Sequence, residues 1–321
     1  MQLEKSSEWQ NTSRIKEFIL LGFGNTKHFN PLLFILFLII YTGTLSGNVL
    51  IITLVVMEKH LHTPMYFFLS NLSYLEICYT SVIIPKMLAT FLSGKKTISF
   101  WGCILQMHFF CTLGATECYL LAAMSFDRYL AICRPLHYVL IMNNKTCILL
   151  VTISWINGSF LITILTSLLT QLTFCNQYKI DHFFCDFTPL VRLSCSDTWM
   201  IESVALITSS VGLLSTFFIT VSSYALIIRA ILKIPSVDGR KKAFSTCSSH
   251  LTVVSIFYGS LMFVYILPTH GKFEDMKKGF SFVYTVLTPI VNPFIYSLRN
   301  KDIKEILRKE FFKYGKFSES H

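Results

Sequence analysis

FNPLLFILFLIIYTGTLSGNVLIITLVVM, residues 29–57, decides the fold. The stretch holds no charged side chain, and about 20 helical residues suffice to cross the hydrocarbon of a bilayer. Lipid is therefore the solvent in which the rest of the chain has to be read. Similar apolar runs follow at about 64–87, 103–127, 146–171, 200–228, 244–268 and 280–298. Composition agrees: 53% of the 321 residues are hydrophobic, only 14% are charged, and mean hydropathy is +0.55. Lipid penalises the Ser, Thr, Gly and occasional carboxylate inside these runs, so such side chains are predicted to face neighbouring helices. The expected fold class is an all-α membrane protein, a seven-transmembrane-helix bundle. Residues 1–28 form an extracellular N-terminal segment, 29–299 the helical domain and 300–321 a cytoplasmic tail.

Orientation follows from the basic residues. With the N-terminus outside, sixteen Lys and Arg fall on the cytoplasmic side and twelve outside. Residues 1–28 contain no apolar core before a small-residue cleavage site, so the first helix is expected to target itself. The formal charge of +10 could suggest nucleic acid. The basic residues, however, flank the spans (Arg240, Lys241, Lys242; Arg299, Lys301, Lys304, Arg308, Lys309, Lys313), where anionic lipid of the inner leaflet is the expected counterion and nucleic acid is not. A multi-pass protein of the plasma membrane is the consequence.

Cys78, Cys111, Cys118, Cys133, Cys147 and Cys247 lie in spans or at their inner ends, where free thiols are expected. Cys103, Cys175, Cys185 and Cys195 fall on the oxidising outer side, and four cysteines allow three pairings that the residues themselves do not choose between. Among the N-x-S/T sequons, Asn144 falls in an inner loop and Asn157 inside a span. Only Asn11 is open to glycosylation.

Polar residues at or inside the spans carry the chemistry. Asp127-Arg128-Tyr129 closes the third span on the cytoplasmic side, where a guanidinium reaches water or a partner. Asn292-Pro293-Phe294-Ile295-Tyr296 puts a proline inside the seventh span, which kinks the helix and leaves backbone groups that Asn292 can satisfy. Glu76 and Glu117 are carboxylates deep within spans, and burying such charges is costly. Either a cation neutralises them, or they are protonated and hydrogen-bonded within the bundle.

Five stretches carry a family signature: GNVLI (47–51), LHTPMYFFLSNLS (61–73), MSFDRYLAICRPLHY (124–138), KAFSTCSSH (242–250) and PIVNPFIYSLRN (289–300). Together they closely resemble the odorant receptors, a branch of the rhodopsin-like G-protein-coupled receptors, over nearly the whole chain from Gly47 to Asn300. The resemblance implies that a small, mostly apolar volatile binds in the outer half of the bundle. It further implies activation of a heterotrimeric stimulatory G protein of the olfactory type, which raises cyclic AMP. Arg128 is then held by Asp127 at rest and meets the G protein on opening, with Tyr224 and Tyr296 bridging to it in the active state. A sodium ion between Glu76 and Glu117, with Asn48 and Asn292 nearby, is implied as well. So is the pairing of Cys103 with Cys185 and of Cys175 with Cys195.

Two departures from the general rhodopsin-like pattern fit this branch. The sixth span begins GRKKAFSTC, basic where many relatives carry an acid, and its centre reads SIFYGS without Trp or Pro. Tyr258 becomes the candidate switch beneath the ligand. No cysteine follows Cys247, so the tail offers no site for palmitate. Lys301–Phe312 looks like a short amphipathic helix, with Ile303, Ile306, Leu307 and Phe311 expected toward lipid.

Counting back 14 to 18 residues from Arg128 rises about 21 to 27 Å along the third helix. That reaches Phe110, Cys111 and Gly114, which resemble ligand-contacting positions of the family; Phe110 and Gly114 share a face. Thr208 and Ser209 on the fifth helix, Tyr258, Leu261, Met262 and Tyr265 on the sixth, and Phe282 and Thr285 on the seventh complete the expected lining. It is apolar with a few hydroxyls and no well-placed charge, which favours a neutral volatile. A transporter or channel is disfavoured by seven spans without an inverted repeat. No HExxH, GxSxG or paired catalytic Asp motif points to an intramembrane enzyme. The same pocket could serve a metabolite sensor outside the nose.

Overall fold

The computed structural model describes residues 15–23, 27–175, 178–265, 273–299, 303–306 and 308. The chain builds α1 (Asn30–Met57), α2 (Pro64–Ser93), α3 (Phe100–Cys133), the short α4 (Pro135–Ile141), α5 (Asn144–Leu169), a one-turn α6 (Phe187–Val191), α7 (Trp199–Leu232), α8 (Val237–Tyr265), α9 (Phe273–Phe282) and α10 (Thr288–Arg299). Among the described residues six helices are long and apolar enough to cross a bilayer: α1, α2, α3, α5, α7 and the Cys247–Tyr265 part of α8. The seventh span is the continuous helical path from α9 to α10, divided by a π-helical turn at Val283–Leu287.

Several helices outrun their predicted spans. α2 has 30 residues, and α3 and α7 have 34 each, because hydropathy sees only the lipid-facing stretch while the helix continues into polar surroundings. α3 begins above the membrane, where the Ser99 hydroxyl accepts the backbone N–H of Gly102 at 3.1 Å and satisfies an orphan donor of the first turn. α3 is also the most enclosed of the spanning helices and touches α2, α5, α7 and α8.

Close approaches explain two glycines. A Cβ on Gly158 of α5 would collide with the Thr116 hydroxyl and the backbone of α3, and one on Gly47 would stand 2.8 Å from Pro293 of α10. Small residues let helices meet where apolar lipid gives no hydrophobic drive to associate. The spans' hydroxyls bond back into their own helices: Thr44 to Ile40, Thr80 to Glu76 and Ser125 to Leu121, each at 2.8 Å.

Two features depart from expectation. The N-terminal segment contributes a strand, β1 (Glu17–Leu20), which pairs antiparallel with β2 (Thr97–Ser99) and parallel with β3 (Lys179–Ile180). Phe18 is fully buried there, its ring 5.8 Å from those of Phe100 and Phe174. At the other end, Ile303 and Ile306 are buried in the main core rather than turned to lipid. The helical turn 303–306 folds under the bundle, which offers closer packing than acyl chains. Leu307 and Phe311 lie outside the described residues, as does Asn11.

Candidate functional site

Within the outer half lies a cavity of about 370 Å³. It is walled by α2, α3, α5, α7, α8 and the π-helical turn, and bordered by residues of the long outer loop between α5 and α7. Two disulfides hold that loop, Cys103–Cys185 to the top of α3 and Cys175–Cys195 within the loop itself. Gln106 adds a second tie: its Oε1 accepts the Cys185 N–H at 3.0 Å while its Nε2 donates to the Val82 carbonyl at 3.0 Å. Phe184 packs against Phe110 at 4.5 Å between ring centres.

Of the expected ligand positions, Phe110, Cys111, Gly114, Thr208, Ser209, Leu261 and Tyr265 line this cavity. Tyr258, Met262, Phe282 and Thr285 do not. The hydroxyl of Tyr258 donates to the Cys118 carbonyl at 3.0 Å beneath the cavity, and its ring meets Phe217 edge-on at 5.7 Å. Met262 packs into the core. Phe282 turns toward α1, against Phe37 at 6.0 Å. The hydroxyl of Thr285, inside the π-helical turn, donates to the Ser281 carbonyl. A π-turn adds a residue per turn and rotates the remainder of the helix, and within it Thr285 falls off the lining while Tyr284 joins it.

The absence of charge is also corrected: Arg192 and Glu202 belong to the lining, the latter accepting the Thr198 hydroxyl at 2.8 Å. Both come from the loop region and the first turn of α7, which a count along the spans does not reach. Above the cavity the Tyr265 hydroxyl donates to Asp186 Oδ1 at 3.3 Å and lies 3.1 Å from the Tyr284 hydroxyl. Burial pushes the Asp186 carboxyl up to about 6, against the hydrogen bonds from the Phe187 N–H and Tyr265 that favour its charge. Burial likewise pushes His182, in the same loop, down to about 3.

Midway down the bundle, Glu76, Glu117, Asn48 and Asn292 are all buried. Asn292 Nδ2 donates to Glu76 Oε1, so this amide serves the carboxylate. Asn48 Nδ2 donates to the Thr44 carbonyl at 3.1 Å. Asn48 Oδ1, Glu76 Oε2 and Glu117 Oε1 are left without a hydrogen-bond partner.

At the inner end Arg128 donates from Nε to Asp127 Oδ2 at 2.9 Å, and a second nitrogen reaches the same oxygen at 2.5 Å. The buried Asp127 takes a third donor, the Tyr138 hydroxyl of α4, at 2.8 Å. Burial and then the Asp127 charge push the Tyr138 hydroxyl up, so it remains a donor. Tyr129 packs beside Ile227 and Cys247. Tyr224 bonds the Nδ1 of His250 at 2.5 Å, ring stacked on ring. His250, the last residue of KAFSTCSSH, is a further polar group that the motif alone does not single out. The side chain of Tyr296 lies outside the described residues.

Comparison with known proteins supplies the family. The family model for the olfactory receptor matches residues 35–314. Human olfactory receptor 6N1 is 48% identical over 305 residues, covering 95% of this chain and 98% of that relative. Human olfactory receptor 6C2 is 49% identical over 296 residues, with 92% and 95% covered. Mouse olfactory receptor 6E1 is 47% identical over 311 residues, with 97% and 99% covered. With relatives that are receptors and not enzymes, and with its run of apolar helices, this multi-pass plasma-membrane protein belongs to the olfactory receptor family.

Proposed function

We propose that the chain binds a small, mostly apolar volatile in the outer cavity and activates a stimulatory, olfactory-type G protein, raising cyclic AMP. The observation that carries this reading is the cavity itself. About 370 Å³ of largely apolar space, bounded by six helical segments and a disulfide-tied loop, suits a small, mostly apolar molecule. Tyr258 lies directly beneath, on the path toward the inner end. There Asp127, itself bonded by the Tyr138 hydroxyl, holds Arg128, and opening of the inner side would free the guanidinium for the G protein. Tyr224, now on His250, would exchange that partner for Arg128, with Tyr296 as the second bridge.

The carboxylate cluster fits a hard monovalent cation. Three buried oxygens without donors, on Glu76, Glu117 and Asn48, are the acceptors such an ion requires, and Asn292 orients Glu76. Sodium held there would favour the resting arrangement and oppose agonist. The test of the whole reading is cyclic-AMP production in cells expressing the chain, screened against chemically broad volatiles. Surface-expressed receptor that responds to none of them, or that responds without a stimulatory G protein, would remove it.

A further inference from the structure

The hydroxyls in the cavity wall have directions, and those directions restrict the ligand. Tyr265 and Tyr284 both line the main cavity, whereas Asp186 lines a smaller one, of about 190 Å³, on the outer-loop side. An ionised carboxylate only accepts hydrogen bonds, and with its pKa near 6 Asp186 is ionised at neutral pH. The single hydrogen of Tyr265 is therefore spent on Asp186. In the 3.1 Å contact between the two phenols Tyr284 must then be the donor, so its hydrogen is spent as well. Toward the ligand the pair presents lone pairs and no hydrogen.

Neighbouring hydroxyls follow the same pattern. Thr208 donates to the Val204 carbonyl at 2.8 Å and Ser209 to the Ala205 carbonyl at 2.5 Å. Tyr119, whose hydroxyl sits beside Gly212, and Tyr79 of α2 are the other phenols in the wall.

Building on the volatile-binding reading above, we propose that the Tyr265–Tyr284 pair is the polar anchor of the cavity and selects ligands bearing a hydroxyl, whose O–H donates to the pair and completes a relay ending on Asp186. A relay that ends on a charge strengthens each link, because every donor is polarised by the next. An ether of the same skeleton has no hydrogen to give. A ketone turns its own lone pairs against those of the phenols, which leaves both unsatisfied in an apolar wall.

The probes are straight-chain primary alkanols of six to ten carbons, their methyl ethers and the matching methyl ketones. Affinity is read as thermal stabilisation of the purified full-length receptor in lipid nanodiscs, and signalling as cyclic AMP in cells. Alkanols should bind about tenfold more tightly than ethers of equal length. Tyr284→Phe should shrink that ratio to about twofold or less by weakening the alkanols alone, since an ether never used the hydroxyl. Asp186→Asn, which offers an N–H to Tyr265 and allows the relay to reverse, should erode the ratio as well, while Tyr119→Phe and Tyr79→Phe should each keep it. Alkanols that stabilise no better than ethers or ketones, or not at all, overturn the proposal. So does a preference that survives both Tyr284→Phe and Asp186→Asn. Selective stabilisation by alkanols without cyclic AMP would leave the anchor standing and remove the signalling reading; cyclic AMP driven equally by ketones would do the reverse.

Discussion

The inner and outer ends of this bundle are built in opposite ways. At the inner end three contiguous or near-contiguous stretches supply the chemistry: Asp127 and Arg128 are adjacent, Tyr138 follows eleven residues on, and Tyr224 meets His250 across one loop. At the outer end the cavity takes one or a few residues from each of several helices and a loop, and its key hydroxyl pair spans α8 and a π-helical turn. Contiguous machinery tolerates little change, since each member is a partner of the next. A distributed lining can exchange single residues without disturbing its neighbours.

The largest expected effect tests the inner half. Arg128→Ala should abolish ligand-driven cyclic AMP while leaving surface expression largely intact, because Arg128 pairs with Asp127 near the end of α3 and packs into none of the apolar clusters. Retained signalling from a surface-labelled mutant would break the comparison at its stronger end. In the outer half a single residue should change selectivity instead of output. A Cβ on Gly114 would meet Tyr79 at an ordinary 3.8 Å, so Gly114→Ala should be tolerated. Gly114→Leu fills the cavity and should lower agonist potency by about ten- to a hundredfold, more for bulky ligands than for small ones. Equal loss for all ligand sizes would mean that the variant disturbs packing and not the cavity.

This contrast also explains what could be read in advance. The seven spans and the Asp127–Arg128 pair were legible because lipid demands long apolar runs and because neighbours in sequence are neighbours in space. The disulfide pairing was not in the residues at all; only the resemblance chose it. Phe110, Cys111 and Gly114 were found by counting along one regular helix. In the seventh span the π-turn, which no apolar run reveals, sets Thr285 off the wall and Tyr284 on it, and a count along the third helix could not reach Arg192 or Asp186, which an irregular loop folds over the cavity. The inward turn of Ile303 and Ile306 was invisible for a related reason. An apolar helical stripe looks the same whether lipid or protein covers it.

Between the two ends, the carboxylate cluster should give an intermediate effect. Glu117→Gln should change basal activity and remove most of the sodium dependence of agonist potency, whereas Glu76→Asp, which keeps the charge, should largely preserve it. Agonist dose response in membranes at low and high sodium, with choline keeping ionic strength constant, measures both. Equal sodium shifts in wild type and Glu117→Gln would make the cluster structural. A smaller change is expected from Tyr138→Phe. It removes one of three donors to the buried Asp127 and should raise basal cyclic AMP by about two- to threefold, since one hydrogen bond to a charge is lost from the resting state while others remain.

The last effect, comparable in size, concerns pH, and it distinguishes the outer half from the inner. The Asp186 pKa is raised from 3.8 to about 6, so the folded protein holds this proton more tightly than the unfolded chain. The sign for stability follows: the cost of the buried charge is present above pH 6 and is relieved as pH falls toward 4. The sign for binding is the opposite for one class of ligand. Once protonated, Asp186 can donate to Tyr265, the relay reverses, and Tyr284 turns a hydrogen toward the cavity. Around Asp186 stand Lys179, Asp181, His182, Arg192, Lys277 and Lys278 on the outer side, and Cys111, Tyr265 and Tyr284 on the inner. His182, held near 3, stays neutral across this window, and Asp181 is paired with Lys278 at 2.7 Å. Alkanol affinity for the purified receptor should therefore fall by about two- to fivefold between pH 7.4 and pH 5.5, with a midpoint near 6, while ketone affinity rises. Asp186→Asn should flatten both curves, which separates this carboxyl from every other charge around it. Parallel shifts for alkanol and ketone, or a pH response that persists in Asp186→Asn, would place the titrating group elsewhere.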